Sequence, residues 1–438
     1  MPVEYNRKQI ADGVYLSTVH DEKFKTNYIS VQFVSDFEVK EASARALIPN
    51  ILTVSNSKYP TREALSTKLA ALYNASLSDT ETIVGNSYVS TLFASCIADC
   101  NTIDGEKITA ELANILITSI FSPKTVNGAF DETEFAILKK ELLDEIDTEI
   151  NNKRNYALKQ ARKTIYCGEK SASGVYGSRK EAEALTCEYV YELYLSMLES
   201  SHIEIILGSS ENVDETAELL ERAFSDIPRK NVYRPVYYEA SPLKPKTENV
   251  TERMDVKQTR LVMAYKIGKT DLYAAKIFTA LFGITPTSKL FMNVREKMSL
   301  CYSCSAAYDE CRQTLIVECG IDDANLDKTI AAINEQLRSL ADGDFTDDEL
   351  NDTKLMMTGA FRSNYDSLYG LMNWYNVQYR RGTALSPNEV IVKLNAITRD
   401  DVILCAQGFE LDTVYALRTS HISQLSQSAA ENEKGDTV

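Results

Sequence analysis

The sequence predicts an α+β protein built from one unit used twice: two homologous domains, each a mainly antiparallel sheet with helices packed on one face. Three observations carry this expectation. Alternating apolar and polar residues, a strand pattern, open each half at residues 28–34 (YISVQFV) and 261–267 (LVMAYKI). Helical stretches follow in each half, at 106–121 and 326–340, before strands return, as at 202–207 (HIEIIL). Three short motifs also recur in the same order, at offsets of 221, 215 and 212 positions.

The repeats can be taken in turn. Ser66-Thr-Lys-Leu69 corresponds to Thr287-Ser-Lys-Leu290. Phe130-Asp-Glu-Thr-Glu-Phe135 corresponds to Phe345-Thr-Asp-Asp-Glu-Leu350. Both members of that second pair place a Thr or Asp cap before acidic residues, which is how a helix begins, because the cap satisfies free N–H groups and the acids face the positive end of the dipole. Leu185-Thr-Cys-Glu-Tyr-Val190 corresponds to Ile397-Thr-Arg-Asp-Asp-Val402. Small drifts in offset are what loop insertions produce. The segment between the halves holds Pro228, Pro235, Pro242 and Pro245 among charged residues, a linker composition. The boundaries expected are therefore 1–228, a linker at 229–257, a second domain at 258–423, and a disordered polar tail at 424–438.

With 438 residues the chain exceeds a single ordinary core. Its 44% hydrophobic and 25% charged content is that of a soluble globular protein. A net charge of −16 argues against nucleic acid as a partner, since phosphate binding needs basic surface. The N-terminus has no apolar core for a secretory signal, and the apolar run at 112–121 is half a bilayer span with polar breaks. A cytoplasmic protein without membrane contact is expected. Nine scattered cysteines, an odd number, suit reduced thiols. Cys301-x-x-Cys304 lies in an alternating strand pattern, where positions three apart point to opposite faces, so the pair is expected to be neither a metal nor a redox half-site.

The segment Ser288–Tyr302, SKLFMNVREKMSLCY, carries the chemistry. Ser288, Leu290, Phe291, Val294, Arg295, Glu296, Leu300 and Tyr302 match a pattern of the form S-x-L-F-x-x-(V/L)-R-E-x-x-(G/S)-L-x-Y. With the two-repeat organisation, this resembles the pitrilysin/insulinase family of inverted-zincin metallopeptidases, and the likeness spans nearly the whole chain. The resemblance implies a clam-like pair of domains. It also implies a zinc site in the first half, on a helix bearing H-x-x-E-H, whose histidines bind the metal and whose glutamate polarises water.

Here the likeness breaks. The chain has three histidines, His20, His202 and His421, no two closer than 182 positions. Aligned through Lys58-Tyr-Pro-Thr61, Ala46 and Asn50 stand where the family's histidines would be, and Pro49 where its catalytic glutamate would be. The resemblance implies Glu145, within ELLDEI, as the counterpart of the family's later zinc-binding glutamate. No metal and no other cofactor is therefore expected, and no catalytic residue is assigned. Each histidine, and Glu145, reads more simply as structural or solvent-exposed.

What remains is the pair Arg295 and Tyr302, which the resemblance implies would hold a peptide near its scissile bond. The function implied is a non-catalytic subunit of a two-chain zinc peptidase, inactive alone and paired with a paralogue that carries the zinc motif, or self-paired in its absence. Bacterial pairs resembling this one are linked to the processing of small peptides and proteins. The alternative is a stand-alone peptide-binding or scaffold protein of the same fold.

Overall fold

The computed structural model describes residues 3–420; His421 and the polar tail at 424–438 lie outside the described residues. Its strands form two main sheets. The first contains β1 (Glu4–Ala11), β2 (Val14–His20), β3 (Thr26–Ser35), β4 (Ser76–Val84) and β5 (Ser87–Ile97). A short hairpin, β6 (Thr125–Val126) and β7 (Ala129–Phe130), precedes β8 (His202–Ser209), which returns to that sheet. The second contains β9 (Glu248–Met254), β10 (Thr259–Lys266), β11 (Cys301–Asp309), β12 (Thr314–Ile321) and β13 (Glu410–Thr419).

The spatial orders are β1-β2-β8-β3-β5-β4 and β11-β12-β10-β13-β9. Read from β9, the second order places the first, last, second, fourth and third strands side by side. With β1 set aside, the first sheet reads identically from β2. The pairings agree too: β2 with β8 and β9 with β13 run parallel, and all other neighbours run antiparallel. The duplication read from three short motifs is thus a duplication of topology.

The paired motifs do the same local work in each half. Thr186 and Thr398 each cap a helix, accepting from Tyr189 N at 3.3 Å and Asp401 N at 3.2 Å. Asp131 accepts from Glu134 N at 2.9 Å, and Thr346 from Glu349 N at 3.1 Å. No helix among the described residues is long and apolar enough to cross a membrane.

The chain divides into two compact units that are not continuous in sequence. Among the described residues, one comprises 3–148, 168–237 and 360–389; the other comprises 149–167, 238–359 and 390–420. Each unit thus contains a helix from the other half of the chain. In the first unit, Ile29, Val31 and Phe33 of β3 and Ile203, Ile205 and Leu207 of β8 pack on one side against Leu47, Ile51, Leu112 and Leu116 of the helices Ala42–Val54 and Ile108–Phe121. On the opposite side, Val19 and Ile206 meet Leu368, Leu371, Met372 and Tyr375 of the helix Leu368–Arg380.

Helices on one face only is therefore corrected: this sheet is covered on both. β8 shows the reason, since all eight of its residues are buried, the pattern of a strand with two covered faces. Gly208 of β8 permits the approach, because a Cβ there would collide with the Met372 thioether. Glu204, fully buried on the same strand, accepts from Arg7 Nη2 at 2.5 Å and pairs with His202 Nε2 at 2.7 Å. The Arg7 guanidinium and the hydrogen bond to the imidazole are what let a carboxylate stay inside.

The second unit repeats the plan. Tyr265 of β10 donates to Asn334 of the helix Leu326–Ala341 on one side at 2.8 Å. Its neighbour Lys266 points the other way and donates to the carbonyl of Ile165, at the end of the helix Lys153–Ile165, at 2.9 Å.

Candidate functional site

The helix Ala42–Val54 carries Ala46, Pro49 and Asn50, the positions aligned with the family's zinc motif. Ala46 and Pro49 are buried in it. Proline has no N–H, so this turn lacks one backbone bond. Two polar side chains bond back onto neighbouring carbonyls of the same helix: Asn50 Nδ2 donates to Ala46 O at 3.1 Å, and Thr53 Oγ1 to Pro49 O at 3.1 Å. Both groups also reach Asp79 on β4, Asn50 Nδ2 to Oδ2 and Thr53 Oγ1 to Oδ1, each at 2.7 Å.

Asp79 and Glu81 are two positions apart on β4 and so share a face. Burial, and next the Asp79 carboxylate beside it, push the Glu81 carboxyl up to about 8. Glu81 Oε1 is buried with no partner as an acceptor. A proton on Glu81 resolves this, turning an unpaired acceptor into a donor facing Asp79. Sequence reading missed both acids, because an acid on an edge strand ordinarily faces water.

These residues do not fit the zinc ion that the family resemblance implies. A methyl, a pyrrolidine ring and an amide stand in place of two imidazoles and a carboxylate. Both oxygens of Asp79 are engaged by the helix. Glu145 is exposed on the helix Glu132–Thr148. Among the described residues, no group of three or more His, Cys, Asp and Glu is placed to hold a metal. His202 belongs to the buried Glu204 network, and His20 ends β2.

In the second unit, Arg295 sits on an element of unusual geometry, and Tyr302 on the strand that follows it. Leu290–Lys297 is a π-helix, closed at its end by Met298 N donating to Asn293 O, five residues back, at 3.0 Å. Leu290 and Val294 fix its inner side in the core. Lys289 anchors it through Glu349 at 2.7 Å, and Asn293 through Gln336 at 2.5 Å. Arg295 faces outward, with its side chain 40% exposed. Its guanidinium lies 4.6 Å from the Phe291 ring centroid, and its Nε is 3.6 Å from Glu296.

Ser299 then turns the chain into β11 at φ +50°. That conformation explains why the motif takes glycine or serine there: larger, and above all β-branched, residues resist positive φ. Ser299→Val is expected to lose about 1–3 kcal/mol, read as a lower urea midpoint, and Ser299→Gly to lose none.

Within β11, Cys301 pairs with Ile321 and Ser303 with Gly320, so Tyr302 is an extra residue, a β-bulge. The bulge presents the phenol to solvent, and its hydroxyl donates to Asp322 Oδ1 at 3.0 Å. That hydrogen bond, and then the Asp322 charge, raise the phenol's pKa. The bulge also corrects the expectation for Cys301 and Cys304. One inserted residue shifts the alternation, and both thiols turn inward. Asp322 and the bulge were invisible in the sequence, since neither leaves a compositional signal.

Residues 184–357, a span that contains the Arg295/Tyr302 segment, match the family model described as peptidase M16 inactive domain. A Bacillus subtilis (strain 168) protein described as "Probable inactive metalloprotease YmfF" is 25% identical over 410 residues, covering 93% of this chain and 96% of that one. "Uncharacterized zinc protease YmxG", from the same strain, is 27% identical over 179 residues, 39% of this chain and 44% of its own. Among solved structures, a conserved protein from Enterococcus faecalis V583 superposes with a TM-score of 0.88 at 25% identity, over 96% of this chain and all of that one. The resemblance read from the second-half motif therefore holds.

Proposed function

We propose that this chain, an inactive M16-family peptidase homologue, is the non-catalytic subunit of a two-chain zinc peptidase. It contributes Arg295 and Tyr302 to the binding of a peptide, and a paralogous chain with an intact H-x-x-E-H motif contributes the metal. The observation that carries this reading is an asymmetry. At the positions aligned with the zinc site, Ala46 and Pro49 are buried, the Asn50 amide is held by Ala46 O and Asp79, and Glu145 is exposed, a set that offers no metal ligands. The arginine and tyrosine are exposed on a built element, with a π-turn, a left-handed serine and a bulge around them. Such features cost backbone energy and are common at functional sites. The similarity to a protein described as a zinc protease supports a partner of the same family.

In the assembled pair, the guanidinium orients the peptide and offsets charge developing on the scissile carbonyl, and the phenol adds a directed hydrogen bond. For Tyr302 this means leaving Asp322 and donating to substrate. The place of action is the cytoplasm. The test is a pull-down of the full chain from its native cell. Co-purification of a chain with H-x-x-E-H supports the pairing, and its absence from the bound fraction argues against it.

One observation favours the second reading, a scaffold without proteolysis. Both groups already have local partners, Arg295 in Phe291 and Glu296, and Tyr302 in Asp322. A chain that binds neither peptide nor a zinc-bearing paralogue would support this reading.

A further inference from the structure

Cys304 of β11 lies directly across from Cys319 of β12 in the antiparallel register, and their Sγ atoms are 2.9 Å apart. Residues directly opposite in such a pair have Cα atoms about 4.5–5.5 Å apart, inside the range of about 4.4–6.8 Å that a disulfide spans. Closing to a bond of ~2.05 Å requires about 0.9 Å of sulfur movement, within the reach of side-chain torsions alone. The Tyr302 bulge turns Cys301 inward beside Cys304, so three of the nine cysteines gather at one point. Each of the three is less than a tenth exposed.

We propose that Cys304 and Cys319 are a site of reversible covalent modification, forming a cross-strand disulfide by exchange with a low-molecular-weight disulfide such as glutathione disulfide. Cys304, once deprotonated, attacks one sulfur of glutathione disulfide and expels a glutathione thiolate, which takes up the proton. Cys319, deprotonated in turn, attacks Cys304 Sγ in the mixed disulfide and expels the second glutathione. Two protein thiols lose two electrons and two protons, and one glutathione disulfide becomes two glutathione thiols. Cys301 offers a second position for the bond: its thiolate attacks Cys304 Sγ and releases Cys319 as a thiolate, moving the disulfide to Cys301–Cys304, and the return to free thiols is the same exchange run backwards by two glutathione thiols.

Access comes from the position of β11 at the edge of its sheet, where strands open more readily than at the centre. The thiols are protected in the closed state. Hydrogen bonding to Cys304, together with burial, raises the Cys301 pKa, and Cys304 is raised as well. Oxidation is therefore slow and gated by strand opening. Its consequence is local: the bond fixes the strand bearing Tyr302 to the strand that leads into Asp322.

The test uses the full chain in excess glutathione disulfide at alkaline pH, followed by alkylation, non-reducing digestion and mass spectrometry. Expected is a cross-linked peptide pair joining Cys304 to Cys319, two hydrogens lighter than the reduced pair and restored by a dithiol reductant. The exposed Cys100 and Cys167 serve as internal controls and carry glutathione. In Cys319→Ser the link moves to Cys301–Cys304 or stops as a glutathione adduct on Cys304. Full alkylation of Cys301, Cys304 and Cys319 in the wild-type chain, while Cys100 and Cys167 are modified, overturns the proposal without recourse to any variant.

Discussion

Arg295→Ala lowers turnover by the proposed two-chain peptidase about 100-fold, ~2.7 kcal/mol of transition-state stabilisation, while the two subunits still co-elute. The magnitude follows from what the side chain touches. Arg295 is 40% exposed, and the π-helix is held by other residues: Leu290 and Val294 in the core, with Lys289 and Asn293 tying it down. Its removal leaves the fold within about 0.5 kcal/mol, as for other exposed substitutions. The loss falls on catalysis. If the guanidinium acts mainly as developing charge appears, kcat falls with KM little changed; if it holds substrate uniformly, KM rises alone. Arg295→Lys keeps the charge and loses the planar fork, so it recovers part of the rate. A rate unchanged in Arg295→Ala removes the role assigned to this residue. Tyr302→Phe is the companion variant, keeping the ring and deleting the donor.

The second large effect concerns the acid pair Asp79 and Glu81 on β4. Glu81 titrates at about 8 in the folded chain, against 4.5 for an ordinary glutamate. The sign is fixed by linkage. Below pH 4.5 both folded and unfolded states hold the proton, and the group's contribution is fully present. Between 4.5 and 8 the unfolded chain has released a proton that the folded chain keeps, so stability falls as pH rises. Above 8 the loss is complete. The slope is at most ~1.4 kcal/mol for each pH step, reduced by the partial access of water to β4. Thermal midpoints measured at pH 6, 7.5 and 9 are expected to decline for the wild type. Glu81→Gln, which cannot ionise and can donate to Asp79, flattens that decline and is the more stable form at pH 9. Equal pH dependence in the two proteins would mean that Glu81 is ionised and solvated in the folded state.

Much of this was legible in the residues. The duplicated plan could be read because capping motifs and strand alternation are local signals, and Thr186 and Thr398 cap their helices as the repeats require. The lack of a helical histidine pair was legible for a simpler reason: a count of histidines needs no coordinates. The exchanged helices were not. Leu368–Arg380 looks like any amphipathic helix, and only β8, buried on both faces, hinted that its sheet had a second layer to receive it. Nor was the setting of the site readable. The sequence showed Arg295 and Tyr302, but a bulge depends on pairing between two strands, and the pairing of Tyr302 with Asp322 crosses from one strand to the end of another. The same bulge reversed the expectation for Cys301 and Cys304. Asp79 and Glu81 were passed over because their burial depends on a helix that sits against them from elsewhere in the chain.

The proposal that this chain supplies a peptide grip and no metal is tested most directly by peptide turnover in a one-to-one mixture of this chain and the proposed H-x-x-E-H paralogue, assayed beside each chain alone on a broad set of unfolded peptides. The account predicts hydrolysis by the mixture and none by either chain separately. A paralogue as active alone as in the mixture, or a mixture inert toward every peptide, contradicts it.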